Sequence, residues 1–73
     1  HPHAENLKIL LAIFYQRTGR PQSAISIYEK LLVRDPDNPL VCNNLAYLYA
    51  ERSYNKGDIA RAMELIKRVE VKF

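Results

Sequence analysis

The chain has 73 residues, of which 48% are hydrophobic and 26% are charged, and its net charge is +3. This composition is typical of one small folded domain, with disorder expected only at the ends of the chain. The single cysteine excludes an intramolecular disulfide and a cysteine-rich zinc site. The longest apolar run, residues 9–15, is far shorter than the roughly 20 residues of a membrane-spanning helix.

The first predicted helix covers residues 5–18. Its large apolar residues recur at spacings of three and four, which predicts one buried helical face. These residues are Leu7, Leu10, Leu11, Phe14 and Tyr15. Gly19 is expected to end the helix, because glycine readily adopts the left-handed conformation found at helix C-termini.

The second predicted helix covers residues 21–34, with Pro21 in its first turn, where a missing N–H costs nothing. Breaker residues fill positions 35–39 and should end this helix. Its apolar positions are Ala24, Ile25, Ile27, Tyr28, Leu31 and Leu32.

The third predicted helix starts at Pro39, with Asn38 as its N-cap, and continues to about Tyr54 or Asn55. Asp58 is the predicted N-cap of a fourth helix, from Ile59 to about Val71. That last helix is expected to bury Ala62, Met63, Ile66 and Val69. Since no segment alternates with the two-residue period of a half-buried strand, the sequence predicts an all-α fold.

The sequence contains an internal repeat. Leu11-Ala12 and Tyr15 recur as Leu45-Ala46 and Tyr49, an offset of 34 residues (45 minus 11). The second half of the pattern recurs at an offset of 38 (57 minus 19), so four extra residues lie between Tyr49 and Gly57. The residues at this offset are Gly19 and Gly57, Ala24 and Ala62, Tyr28 and Ile66, Leu31 and Val69, Val33 and Val71.

This repeat resembles the tetratricopeptide repeat, whose pattern is W-x2-L-G-x2-Y, then alanine followed four positions later by an aromatic residue, then proline. The first copy matches with Leu11-Ala12, Tyr15, Gly19, Ala24, Tyr28 and Pro36, and the second with Leu45-Ala46, Tyr49, Gly57, Ala62 and Ile66. It departs from the pattern in having Lys8 and Cys42 in place of the tryptophan. The resemblance implies two stacked antiparallel helical hairpins in a superhelical array, residues 5–38 and 39–73.

In this family the first helix of each hairpin lines a concave groove that holds peptides or partner helices. The resemblance therefore implies a non-catalytic scaffold or adaptor module that binds a protein or peptide. The corresponding groove residues are Asn6, Ile9, Ile13, Gln16, Arg17, Asn43, Asn44, Tyr47 and Glu51. Under the alternative interpretation, a neighbouring repeat outside this chain covers Ile9 and Ile13.

Two other functions remain open. The fourth helix has no polar capping helix after it, so its apolar residues could support a homodimer. This self-association face comprises Leu65, Ile66, Val69, Val71 and Phe73. RNA binding is a weaker alternative, since Arg17 is the main cation of the expected groove and Glu51 opposes it.

The sequence offers no catalytic, cofactor or metal site. Cys42 has no histidine nearby, and the only histidines, His1 and His3, flank a proline at the start of the chain. No signal peptide is visible, so a soluble protein is expected, with the cytoplasm slightly favoured. Because the chain lacks an initiating methionine, we interpret it as an excised or processed piece of a larger protein.

Overall fold

A computed structural model describes residues 2–52 and 56–72, with side chains over residues 4–52 and 57–70. These residues form four α-helices and contain no strand. The helices are α1 (Pro2–Arg17), α2 (Pro21–Arg34), α3 (Pro39–Arg52) and α4 (Lys56–Lys72). The predicted all-α fold is confirmed.

Glycine sets the turn between α1 and α2. Gly19 has φ +78°, in the left-handed region, and the Arg20 N–H donates to the Tyr15 carbonyl at 2.8 Å. This hydrogen bond closes the last turn of α1, so the chain can reverse into α2 at Pro21. The predicted bounds of α2 are confirmed, whereas α1 begins three residues before the predicted position 5.

The junction between α2 and α3 is capped at both ends. The Asp35 N–H donates to the Leu31 carbonyl at 3.1 Å, which ends α2. Asn38 Oδ1 accepts the Val41 N–H at 3.2 Å, as an N-cap side chain does. Asn38 is therefore the N-cap of α3, as predicted.

The start of α4 differs from the prediction. The helix begins at Lys56, so Asp58 lies inside its first turn rather than at the N-cap. A carboxylate there still faces the positive end of the helix dipole. The expected extension of α3 to residues 54–55, and most of the four extra residues, lie outside the described part of the chain.

The helices pack on their neighbours in chain order, α1 on α2, α2 on α3, and α3 on α4. Four alanines, Ala12, Ala24, Ala46 and Ala62, are buried, and Tyr28 fills the space between helices with no exposed surface. Tyr15 and Tyr49, equivalent residues of the two repeats, both pack in the core, Tyr15 half-buried. The buried core comprises Ala12, Ala24, Ile25, Tyr28, Leu31, Val41, Cys42, Leu45, Ala46, Leu48, Tyr49, Ala62 and Leu65.

The predicted buried face of α1 is wrong for four of its five residues, and only Tyr15 packs against the core. Leu7, Leu10 and Phe14 are 66%, 61% and 56% exposed, and Leu11 is 44% exposed. The physical reason is that α1 packs on α2 through the side of the helix that carries Ala12, which is fully buried. Leu7, Leu10 and Phe14 project from the opposite side, whereas Leu11 lies at the edge of the α1–α2 contact, beside Ile27 and Leu31.

The predicted buried face of α4 is also partly wrong. Met63 is 57% exposed and Ile66 is 40% exposed, whereas Leu65, expected to be uncovered, is only 4% exposed. Helix α4 packs on α3 through Ala62, Leu65 and the half-buried Val69, so its packed face is rotated from the one predicted.

Candidate partner-binding groove

The predicted groove residues come from the first helix of each repeat. On α1, Ile9 and Ile13 are half-buried, as is Gln16, while Asn6 and Arg17 are exposed. Ile9 packs against the core and leaves part of its side chain uncovered. The α1 side of the expected groove thus has an apolar centre with polar ends.

The α3 side of the expected groove is more open. Asn43 and Glu51 are exposed, Tyr47 is 59% exposed, and Asn44 is half-buried. The Tyr47 hydroxyl donates to Glu51 Oε2 at 3.0 Å, and this hydrogen bond raises the pKa of Tyr47. The bond ties the Tyr47 side chain to a residue one turn further along α3.

A chain of hydrogen bonds connects three helices beneath these residues. Asn44 Nδ2 on α3 donates to the Tyr28 hydroxyl on α2 at 3.1 Å, and that hydroxyl donates to Gln16 Oε1 on α1 at 2.5 Å. Burial raises the pKa of Tyr28, so its hydroxyl keeps the proton that it donates. Because the bonds join α1 to α3 through a buried ring, they fix the spacing of the two groove helices.

This hydrogen-bond chain gives Asn44 a structural role. Adjacent asparagines have poor helix propensity, and the bond to Tyr28 compensates for one of them. Asn43 is the more exposed of the two asparagines.

An apolar cavity of about 500 Å³ opens between α3 and α4 beside Tyr47. Its lining includes the buried Ala46 of α3 and Ala62 of α4. It also includes Lys67 and Glu70, one charge of each sign. The lining residues are Asn43, Ala46, Tyr47, Ala50, Ala62, Met63, Ile66, Lys67 and Glu70.

The predicted self-association face is divided by the structure. Ile66 is exposed and lines this cavity, whereas Leu65 is in the core and lines a different cavity that also touches α2. Val69 is half-buried against the core. Phe73 and the side chain of Val71 lie outside the described residues.

A polar cluster fastens the end of α3 to the start of α4. Arg52 meets the fully buried Asp58 carboxylate with two hydrogen bonds, Nη2 to Oδ1 at 2.7 Å and Nε to Oδ2 at 3.1 Å. Arg52 Nη1 also donates to Gln22 Oε1 on α2 at 2.9 Å. The Arg52 guanidinium holds the pKa of Asp58 below its usual range.

A second tyrosine links the two repeats on another side of the bundle. The buried Tyr49 hydroxyl donates to the Glu29 carboxylate on α2, and burial, followed by this carboxylate, raises the pKa of Tyr49. The Arg52 guanidinium lies 5.3 Å from the centre of the Tyr49 ring, within cation–π range. These contacts fix the α2–α3 interface without occupying the groove.

The chain's thiol is placed for packing. Cys42 is fully buried, its Sγ donates to the Pro36 carbonyl at 3.4 Å, and burial raises its pKa. The thiol is therefore held in its protonated, weakly nucleophilic form. Within residues 4–52 and 57–70, no group of three or more His, Cys, Asp or Glu side chains is arranged to hold a metal ion. None of the described helices is both long enough and apolar enough to cross a membrane.

The sequence prediction missed two sets of exposed apolar residues, Leu7, Leu10 and Phe14 on α1, and Met63 on α4. Ala12 carried the signal that could have placed the first set. A small residue marks the side of a helix where a neighbour approaches closely, and Leu7, Leu10 and Phe14 lie away from that side.

Four antiparallel helices, packed in chain order and built from a duplicated sequence pattern, define an α-helical repeat protein. A family profile described as the tetratricopeptide repeat matches residues 5–48, which is more than half of the chain. The chain belongs to the tetratricopeptide repeat family, and its four helices correspond to two repeats. Comparison with curated proteins and with solved structures finds no match.

Proposed function

We propose that this chain is a non-catalytic interaction module that binds an extended peptide or a partner helix along the face shared by α1 and α3. Tetratricopeptide repeats generally mediate protein–protein interactions, which supports a binding role in broad terms. We further propose that residues 5–38 and 39–73 are its two hairpins and that it acts as a scaffold or adaptor within a larger protein.

One observation carries the proposal. Ile13 on α1 and Tyr47 on α3 occupy equivalent positions of the two repeats (47 minus 13 is 34), and both keep solvent-accessible apolar surface. Between the two helices, the Asn44–Tyr28–Gln16 hydrogen bonds hold a fixed separation. A preformed apolar surface binds better than one that must be ordered on binding.

The chemistry of this face suits a peptide with apolar side chains. Ile9, Ile13 and Tyr47 would remove water from those side chains, and the exposed Asn43 amide would satisfy a backbone N–H or C=O. Arg17 and Glu51, at equivalent positions near the C-terminal ends of α1 and α3, give the face one charge of each sign. A partner of mixed charge therefore fits better than a strongly anionic one such as RNA.

The test is selection of peptides from a random phage-displayed library on this chain, followed by fluorescence polarisation with the enriched peptide. We expect Ile13→Ser and Tyr47→Ala each to weaken Kd by about tenfold or more, because each removes the buried apolar contact of a large side chain. Val33→Ala is the matched control, since Val33 is 82% exposed at the end of α2.

Two outcomes would refute the proposal. One is that no peptide is enriched on this chain relative to a parallel selection on a control surface that lacks it. The other is that an enriched peptide binds the Ile13→Ser and Tyr47→Ala variants as tightly as the unaltered chain. Circular dichroism of each variant confirms that the helices are intact before binding is compared.

A further inference from the structure

The exposed apolar face of α1 has a buried counterpart inside the same chain. At the repeat offset of 34 residues, three α1 residues correspond to three α3 residues that pack in the core. The α1 residues are 44% to 66% exposed, whereas their α3 counterparts are 1% to 3% exposed. The pairs are Leu7 with Val41, Leu11 with Leu45, and Phe14 with Leu48.

The α2 surface on which α3 packs also has a counterpart within the chain, on α4. At the offset of 38 residues, Ile25 and Tyr28 of α2 correspond to Met63 and Ile66 of α4. The α2 residues are 3% and 0% exposed because α3 covers them, whereas Met63 and Ile66 are 57% and 40% exposed. The chain thus carries a complete interface between α2 and α3, and an uncovered copy of each half elsewhere on its surface.

Contacts in the complete interface show how the uncovered halves would meet. Leu48 and Ile25 line one cavity at the junction of α3 with α2, and their counterparts are Phe14 and Met63. The second internal contact, the hydrogen bond from Asn44 to Tyr28, has Leu10 and Ile66 at the equivalent positions. A polar pair inside the chain is therefore replaced by an apolar pair that needs no hydrogen-bond partner.

From this we infer that copies of the chain associate head to tail, with the α1 face of Leu7, Leu10 and Phe14 of one copy seated against Met63 and Ile66 in the α3–α4 cavity of the next. The interface continues the packing of α3 on α2 and joins two different surfaces. It is therefore heterologous, unlike a symmetric dimer in which α4 would meet α4. A symmetric α4 dimer would leave the α1 face uncovered, whereas the head-to-tail arrangement covers both faces.

The self-association surface overlaps the proposed peptide groove in part, because Asn43 and Tyr47 also line the α3–α4 cavity. The residues that test self-association, Leu10 and Ile66, are outside the predicted α1 and α3 groove set. Self-association is measured without peptide, so a negative result leaves the peptide experiment unaffected. Likewise, a failure to find a bound peptide leaves the self-association experiment unaffected.

The test uses sedimentation velocity of the unaltered chain over rising concentration, then of Leu10→Glu and Ile66→Lys separately and mixed. We expect the unaltered chain to grow with concentration, and each variant to weaken association by at least about tenfold, since each places a charge where an apolar contact forms. Mixing equal amounts should give a one-to-one dimer, because each variant retains the half that the other has lost.

Several outcomes would overturn the inference. A monomer at every concentration would mean that the two faces do not meet in this chain and are filled by other hairpins of a longer array. If only Ile66→Lys disrupts association, the interface is a symmetric α4 pair, and if only Leu10→Glu does so, it is a symmetric α1 pair. A mixture that stays monomeric also contradicts a heterologous contact.

Controls keep the test independent of folding. Val33→Glu and Val33→Lys place the same charges at an 82% exposed site and should associate like the unaltered chain. If either primary variant loses its helical circular dichroism, Phe14→Glu and Met63→Lys probe the same two faces at residues 56% and 57% exposed.

Discussion

Replacing Tyr28 by phenylalanine tests whether the buried hydroxyl joins the two groove helices. The substitution keeps the ring, which is fully buried, and removes the hydrogen bonds to Gln16 and Asn44. Each hydrogen bond contributes about 0.5–1.5 kcal/mol, so their loss costs about 1–3 kcal/mol. Because both amides are half-buried and water can replace the hydroxyl in part, we expect the lower range, about 1–2 kcal/mol.

Thermal unfolding followed by far-ultraviolet circular dichroism measures this loss. For a domain of this size, about 1–2 kcal/mol corresponds to a decrease in Tm of roughly 4–16 °C. Tyr47→Phe is the matched control, because it removes an exposed tyrosine hydroxyl that bonds only within α3. No measurable change in Tm is expected for this control.

A double-mutant cycle assigns the effect to the bond. Asn44→Ala and Tyr28→Phe should be less destabilising together than the sum of the two single changes, with a coupling of about 0.5–1.5 kcal/mol. Additive effects, or a Tyr28→Phe variant as stable as the unaltered chain, would refute the idea that this hydroxyl connects α1 to α3.

Three further predictions concern stability. Leu45→Ala, at a site 1% exposed, should lower the free energy of unfolding by about 2–5 kcal/mol in urea titrations. Gly19→Ala should destabilise the chain by about 1–2 kcal/mol because φ is +78° there, although no atom would clash with the added methyl group. Because the pKa of Asp58 is lowered from 3.8 in the folded chain, its ionised carboxylate stabilises the fold at pH values above 3.8. This stabilisation should be lost as the pH falls below about 4, and Asp58→Asn should flatten that part of the stability–pH curve.

A different result would contradict each of these three stability predictions. A Leu45→Ala variant no less stable than Val33→Ala would show that the α2–α3 interface contributes little. Gly57→Ala, within helix α4, should be neutral or stabilising, so an equal loss at both glycines would exclude backbone strain as the cause at Gly19. A stability–pH curve unchanged by Asp58→Asn would mean that other carboxylates govern acid unfolding.

The fold could be predicted from the sequence because the residues that start and end its helices act locally. Gly19, Asn38 and the prolines act through backbone geometry and capping within a few residues, so helix α2 was predicted to the residue. The repeat could be predicted as well, since Ala12 and Ala46 are small buried residues at the same position of each copy.

The faces of α1 and α4 could not be predicted from periodicity alone. Both helices have more apolar residues than one packed face requires, and only the neighbouring helix determines which of them are buried. Leu10 and Leu65 were both misplaced for this reason. The ion pair between Arg52 and Asp58 was not predicted, because it depends on how the last turn of α3 meets the first turn of α4.

The buried tyrosine hydroxyl also gives the groove a direction. The Tyr28 hydroxyl donates its one proton to Gln16 Oε1 and accepts a hydrogen bond from Asn44 Nδ2. Gln16 therefore uses its carbonyl oxygen in this chain of bonds, whereas Asn44 uses its NH₂ group. Gln16 turns its NH₂ donors, and Asn44 its carbonyl acceptor, to any further bond. A peptide unit bridging them would place its C=O toward α1 and its N–H toward α3, so a ligand and its sequence-reversed counterpart would not be equivalent.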